Sequence, residues 1–434
     1  MSGIGEGTGA AREAALTVYR AALEAVRADR LVRVAMAREG DRLRIAGEEI
    51  SLAEREHLYL IGAGKAAVAM AEAVEGVLGD RLAEGVVVTR HGYGRPLRCS
   101  RVIEAGHPAP DEGSLRGGEA VLALARRAGE RDLVVCVLSG GASALLEAPR
   151  EGITLADLRE TTSLMLKAGA PIEDLNAVRA CLSHVKAGGL ARATRPARTI
   201  CLVLSDVLGN PLDVIGSGPC LDVPVSPARA REAIRRHGLE GRLPPAIGTA
   251  LARAEREDAP TSPPAVVRHV IVGDIWTAID AAGVAATALG LRPCVLTGWL
   301  RGEAREVGRV FGAIARDLPR TAAAGGPGCY LAGGETTVTV RGDGVGGRSQ
   351  ELALAAAREM RATAGCVVLA AGTDGADGPT DAAGAVVDGA TAGTGADAAL
   401  ARSDSYPFLQ RAGALIRTGP TDSNVGDLVI VTGG

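Results

Sequence analysis

The strongest constraint on this chain is a short apolar run that breaks on glycine and restarts as an alanine-rich helix: Leu58–Tyr59–Leu60–Ile61–Gly62–Ala63–Gly64–Lys65–Ala66–Ala67. A run this short suits a strand buried on both faces, and glycine lets the following turn bring its backbone close to a ligand. The start of the next helix adds unpaired N–H groups and a partial positive charge, which favour an anion. Lys65 adds a full charge at the same place. The chain holds 48 basic residues, of which only Lys65, Lys167 and Lys186 are lysines. Where arginine serves almost everywhere, a lysine marks a position that takes a compact ammonium rather than a planar fork. For Lys167 and Lys186, compositional drift explains the residue equally well.

The same unit recurs downstream. The pattern predicts helix Lys65–Leu78, strand Gly85–Thr89, strand Val102–Ala105, helix Glu112–Ala128 and strand Leu133–Leu138. Such alternation calls for a parallel sheet covered on both faces, with ligands outside the carboxyl ends of its strands. The turns there are polar: Ser139–Gly140–Gly141–Ala142–Ser143 opens a second helix with two hydroxyls, and Arg90–His91–Gly92 and Gly106–His107–Pro108 follow other strands. The helical block Leu155–Lys167 and Ile172–Leu182 carries Asn176 and Arg179, with His184 and Lys186 just beyond it. These four can reach a common site, although a solvated helix face explains such a cluster more often. Strand Ile200–Leu204 ends in Ser205–Asp206, an acid placed either to hold a divalent cation or take a hydroxyl proton, or to cap a turn.

Proline-bearing stretches at 223–227, 243–245 and 259–264 interrupt the pattern. They divide the chain into a domain of residues 1–245 and another of residues 265–434, whose last segment is free to return to the first. The second half opens on strand Val266–Val272 and brings three dense motifs. Strand Tyr330–Val338 is broken at Gly333–Gly334–Glu335–Thr336. Gly344–Glu351 places Arg348 in the first turn of a helix, where the dipole repels a cation unless an anion is also present. Val367–Asp381 opens an apolar strand into Asp374, Asp377 and Asp381, without the spacing of an EF-hand but suited to magnesium shared with phosphates. The polar loop Thr418–Val425, with Asn424, lies near the end of the chain.

Length supports two domains, and 2% aromatic content requires a core of Ala, Val, Leu and Ile. A net charge of −3, with arginine spread throughout, provides no basic face for nucleic acid and no polybasic membrane patch. No apolar run is long enough to span a bilayer and the first residues lack a leader pattern, so a cytoplasmic protein is expected. The eight cysteines contain no CxxC pair and read as buried, reduced core residues. Monomer and homodimer are equally compatible with the chain.

Glycine turns, a lysine, an arginine, hydroxyls and acids at strand ends are the equipment of phosphoryl transfer. The opening motif is not a Walker A, because it lacks the GxxxxGK[ST] spacing. The competing reading is an NAD(P)-dependent dehydrogenase, since Gly62–Ala63–Gly64 with Ala67 matches a GxGxxG/A turn. Strand Gly85–Thr89, however, runs into Arg90 where an acid should meet the ribose. A third reading, a non-catalytic sugar- or nucleotide-binding protein, leaves the acids of both halves without a role.

In their order and spacing, Gly62–Ala67, Gly106–Glu112, Ser139–Leu146, Leu175–Leu190, Ser205–Pro219, Gly333–Thr337, Gly346–Glu351, Gly372–Asp381 and Thr418–Val425 resemble the type II glycerate 2-kinase family, whose second domain is the MOFRL domain. The resemblance implies a Rossmann-like, three-layer α/β first domain with a mainly parallel sheet, a smaller α/β second domain and an active site in the cleft between them. It implies phosphorylation of D-glycerate at its 2-hydroxyl by ATP with Mg2+, giving 2-phosphoglycerate. The alternative within the same resemblance is an NAD(P)-dependent hydroxypyruvate reductase. Carried over, Lys65, Asp206 and Arg348 are the catalytic residues. Gly64, Ser139, Gly140, Gly141, Ser143, Asn176, Arg179, Lys186, Glu335, Thr336 and Asn424 bind substrate or phosphate, and Asp206 and Asp374 are the magnesium ligands. Which acid is the base stays open. Ala142, Ser349, Asp422 and Ile275–Trp276 depart from the family's pattern.

Overall fold

A computed structural model describes residues 3–257, 265–326 and 328–433. The proline-bearing stretch at 259–264 lies outside these residues. The chain forms two compact units, Ala28–Val272 and Met1–Arg27 with Gly273–Gly434.

In the unit Ala28–Val272, six strands lie side by side in the order Ser100–Ala105, Leu82–Arg90, Leu58–Ala63, Leu133–Ser139, Arg198–Leu204 and Val267–Gly273, the last of which ends one residue past the unit. Every pairing among the first five is parallel. Counted along the chain they are arranged 3-2-1-4-5-6, so the winding reverses between Leu58–Ala63 and Leu133–Ser139. These two strands are buried at every position, as a sheet covered on both faces requires. The crevice outside their carboxyl ends is where such a sheet binds ligands. A three-stranded antiparallel sheet, Met36–Glu39, Arg42–Ile45 and Glu48–Ser51, accompanies it. Asp111 starts helix Glu112–Ala125 through a capping box with Ser114.

The other unit has a mixed sheet in the order Pro293–Leu300, Cys329–Gly334, Asp427–Gly433, Cys366–Gly372, Gly384–Asp388 and Leu415–Ile416. Only the first pairing is parallel. Helix Gly3–Ala25 packs on Ile275–Ala288 and on the strands Cys366–Gly372 and Asp427–Gly433. Its fully buried Tyr19 donates its hydroxyl to Gly372 O at 2.6 Å, and Thr432 Oγ1 donates to Ala11 O at 2.8 Å.

Two boundaries therefore differ from the sequence reading. The first helix, placed there with residues 1–245, belongs to the second unit, because its apolar face and Tyr19 are buried against it. Strand Val267–Gly273, read as the start of the second domain, adds to the edge of the first sheet, where Thr199 N reaches Val266 O at 2.9 Å. The terminal strand does not return to the first unit; it lies third in the second unit's sheet, between Cys329–Gly334 and Cys366–Gly372. All eight cysteines are free thiols, and Cys99 and Cys294 are only partly buried.

Candidate functional site

The candidate residues fall into two groups, one on each unit. In the unit Ala28–Val272, the two glycine turns interlock at the winding reversal. Lys65 N donates to Gly140 O at 2.9 Å, and Ala66 N to Ser139 Oγ at 3.0 Å. Gly64 has φ +139°, and a Cβ there would meet Ser139 Oγ at 2.1 Å, so no larger residue fits. Ser139 is fully buried and its hydroxyl holds the turn together. Gly141, at φ +86°, lies beneath the Lys65 side chain and the His107 ring: a Cβ there would sit 3.4 Å from Lys65 Cγ and 3.2 Å from His107 Nε2. The lysine and an imidazole thus converge over the second glycine turn.

Beside them, Ser143 Oγ lies 2.7 Å from Ser217 Oγ, which donates to Asn176 Oδ1 at 3.0 Å. Arg179 reaches Ser143 Oγ at 3.4 Å, and burial lowers its pKa from the usual guanidinium range, opposed by Glu147. The Asn176 amide nitrogen is buried with no hydrogen-bond partner among the described residues, an unmet donor that a ligand oxygen can satisfy. Asn176 and Ser217 also line a cavity of about 230 Å3, where the carboxylates of Glu173 and Asp213 outnumber the one guanidinium, Arg229, and disfavour an anion. Asp206 is half-buried just after strand Arg198–Leu204.

Two members of the helical block go elsewhere. Lys186 is 2% exposed, pairs with buried Glu147 at 3.1 Å and donates to Ser143 O at 2.8 Å, so it braces the second glycine turn from below. Burial lowers its pKa, with the Glu147 carboxylate opposing. His184 is exposed and lies in a separate pocket.

In the other unit, Gly334, Asp427 and Gly372 lie in register across three strands, so Asp427 occupies the rim between the turns that carry Glu335 and Asp374. Arg348 opens helix Arg348–Glu359 and grips Asp427 through one edge of its fork, Nε to Oδ2 at 2.5 Å and Nη2 to Oδ1 at 3.0 Å, while Nη1 binds Glu335. Burial works against its charge, but Asp427 and Glu335 hold its pKa above the ordinary arginine value. These carboxylates explain why a cation is tolerated at a helix N-terminus, the placement from which the sequence reading inferred an anion.

Asp377 supplies the missing cap from a distant loop, accepting Ser349 N at 3.2 Å and Gln350 N at 2.8 Å. Burial and the nearby Asp427 push its carboxyl up to about 7, against the pull of those N–H groups. Asp374 is 8% exposed and its Oδ1 accepts Ala376 N at 3.1 Å; Thr336 and Asn424 are buried close to the same turns in sequence. Asp427, Glu147 and Ser217 were not among the residues chosen from sequence. Asp427 begins an apolar strand two residues past the tail motif, and only its register with Gly334 and Gly372 reveals its role.

Asp206 and Asp374 belong to different units. Among the described residues, the groupings of three metal-binding side chains are Cys136 with Cys201 and Cys220, and Glu56 with His57 and Asp132, neither of which includes them. Magnesium takes one or two carboxylates with substrate phosphates, so either acid has donor chemistry that fits it.

Residues 14–252 match the family described as a domain of unknown function, DUF4147, and residues 328–427 match the MOFRL family. The chain is 39% identical to the D-glycerate 2-kinase of Thermotoga maritima, across 96% of this chain and 97% of that one. It is 37% identical to the glycerate 2-kinase of Pyrococcus horikoshii, across 96% of each. A protein of Agrobacterium vitis described as a putative hydroxypyruvate reductase is 40% identical across 85% of this chain and 97% of its own. The crystal structure of the Thermotoga maritima glycerate kinase superposes with a TM-score of 0.83 at 36% identity, covering 98% of this chain and 99% of that one. A doubly wound sheet with a cationic turn at its winding reversal and a mixed-sheet unit with an arginine–carboxylate rim, matched at this identity to curated kinases, define an α/β enzyme of the phosphotransferase class. The chain belongs to the type II, MOFRL-domain glycerate kinase family.

Proposed function

We propose that this enzyme transfers the γ-phosphoryl group of ATP to the 2-hydroxyl of D-glycerate, giving 2-phosphoglycerate and ADP. The observation that carries the reading is the interlocked pair of glycine turns with Lys65 above Gly141, a preorganised cation at the crevice of the sheet. The substrate hydroxyl oxygen forms the new bond to phosphorus, the bond to the β–γ bridging oxygen breaks, and the hydroxyl proton passes to a carboxylate. Asp206 is our choice for that proton, or for the metal if another acid takes it. Lys65 neutralises the phosphoryl oxygens. Asn176, Arg179 and Ser143 offer hydrogen bonds to substrate oxygens, and Lys186 holds their turn in shape. Arg348, with Nε and Nη2 on Asp427 and Nη1 on Glu335, offers its remaining N–H groups to the substrate carboxylate or to phosphate. Mg2+, held by Asp206 or Asp374, would neutralise charge on the phosphates. A cytoplasmic location fits this substrate set.

The reductase reading draws on the name of the Agrobacterium relatives. Against it, strand Leu82–Arg90 ends in an arginine, not an acid, with its guanidinium 5.6 Å from the Tyr93 ring, and the nearby Glu104 carboxylate is taken up by Gly92 N and Gly94 N. Purified protein with D-glycerate, ATP and Mg2+, coupled through enolase without a mutase, should give signal. Signal only after a phosphoglycerate mutase is added would mean the 3-phosphate. Consumption of NADH or NADPH with hydroxypyruvate, without ATP turnover, would establish the reductase instead.

A further inference from the structure

We infer a second anion site in the unit Ala28–Val272, for a small, multiply charged phosphate compound: a pocket of about 330 Å3 lined by Arg126, Arg150, His184 and Arg192. No carboxylate lines it, and none of its residues belongs to the candidate active site. The four side chains come from separate segments. Arg126 caps helix Glu112–Ala125, Arg150 follows the bridge residue Pro149, His184 follows helix Ile172–Leu182, and Arg192 lies in helix Gly189–Ala193. Convergence from four segments is not the repeat of one solvated helix face.

Asp222 lies 3.2 Å from Arg192 and 2.5 Å from Arg195, so one carboxylate serves two guanidiniums. Arg126 makes no ion pair among the described residues. Guanidinium forks match phosphate oxygens in pairs, and several together favour a ligand carrying more than one charge.

The pocket is also tied to the turn that Lys186 braces. Arg150 N donates to Leu182 O at 2.9 Å and His184 N to Ala148 O at 2.7 Å, on either side of the antiparallel bridge between Pro149 and Ser183. Ser183 Oγ binds Glu147, the partner of Lys186. An anion gathering Arg150 and His184 therefore bears on the segment that positions Ser143.

The test is calorimetric titration of the full-length protein with inorganic pyrophosphate. We expect Lys65→Ala to retain one pyrophosphate site. Arg126→Ala/Arg150→Ala in that background should weaken it at least tenfold, and raised salt should weaken it further. Arg126→Ala/Arg150→Ala alone should leave pyrophosphate-free turnover in the wild-type range. Arg126→Gln, at an exposed position, serves as a second variant if the double substitution fails to fold, and should weaken binding severalfold. Absence of binding in Lys65→Ala, or an affinity indifferent to both pocket variants, overturns the inference.

Discussion

Replacing Lys186 with methionine tests whether this lysine is a brace rather than a ligand contact. The ammonium and the Glu147 carboxylate lie 3.1 Å apart with side chains 2% and 5% exposed, and the same nitrogen serves Ser143 O. Methionine keeps most of the volume but takes the paired ammonium from a buried carboxylate, a loss of about 3–5 kcal/mol for buried pairs. Glu147 keeps contacts with Ser183 Oγ and Ala148 N, which places the expectation near the lower end, about 3 kcal/mol. Adding Glu147→Gln removes the orphaned charge while preserving those contacts, so the double variant should return to within about 1 kcal/mol of wild type. Urea unfolding followed by far-UV circular dichroism reads the change. Both tryptophans, Trp276 and Trp299, belong to the other unit, so their fluorescence should report a transition much less shifted. A single variant within about 1 kcal/mol of wild type, or a double variant no better than the single, would refute this role.

Further outcomes concern the two residue groups. Lys65→Ala and Arg348→Ala should each lower turnover by about two to three orders of magnitude with far-UV spectra unchanged; near-normal rates in either would remove that residue from the chemistry. Gly64→Ala sets a Cβ 2.1 Å from Ser139 Oγ at φ +139°, and thermal unfolding should show a loss above about 1 kcal/mol, whereas an unshifted transition would mean that the turns do not interlock. Asp377, pushed up to about 7 when folded, ionises at about 3.9 when unfolded, so the folded state binds the extra proton between those values. Its contribution is full below about pH 4 and is lost as pH rises through 7. Asp377→Asn should remove that downward component of stability from pH 4 to 7, and identical pH slopes for mutant and wild type would contradict it.

Local patterning carried much of the outcome. Leu58–Ala63 and Leu133–Ser139 are strands because continuous apolar runs broken by glycine have few other solutions, and the turn at Gly64 is legible as a close backbone approach before its neighbour Ser139 is known. Such signals are short-range: a residue's own polarity and its next few neighbours suffice. What the tertiary structure decided is pairing across distance. Lys186 looked like another phosphate cation until Glu147, 39 positions earlier, closed on it. Arg348 implied an anion until Asp427 and Glu335 supplied the negative charge from two other strand ends. The first helix shows no local sign of its partner, because an amphipathic face specifies that something apolar will cover it but not which segment. Register, burial and the identity of a counter-charge depend on where separate stretches of chain meet, and only the folded sheets bring those stretches together.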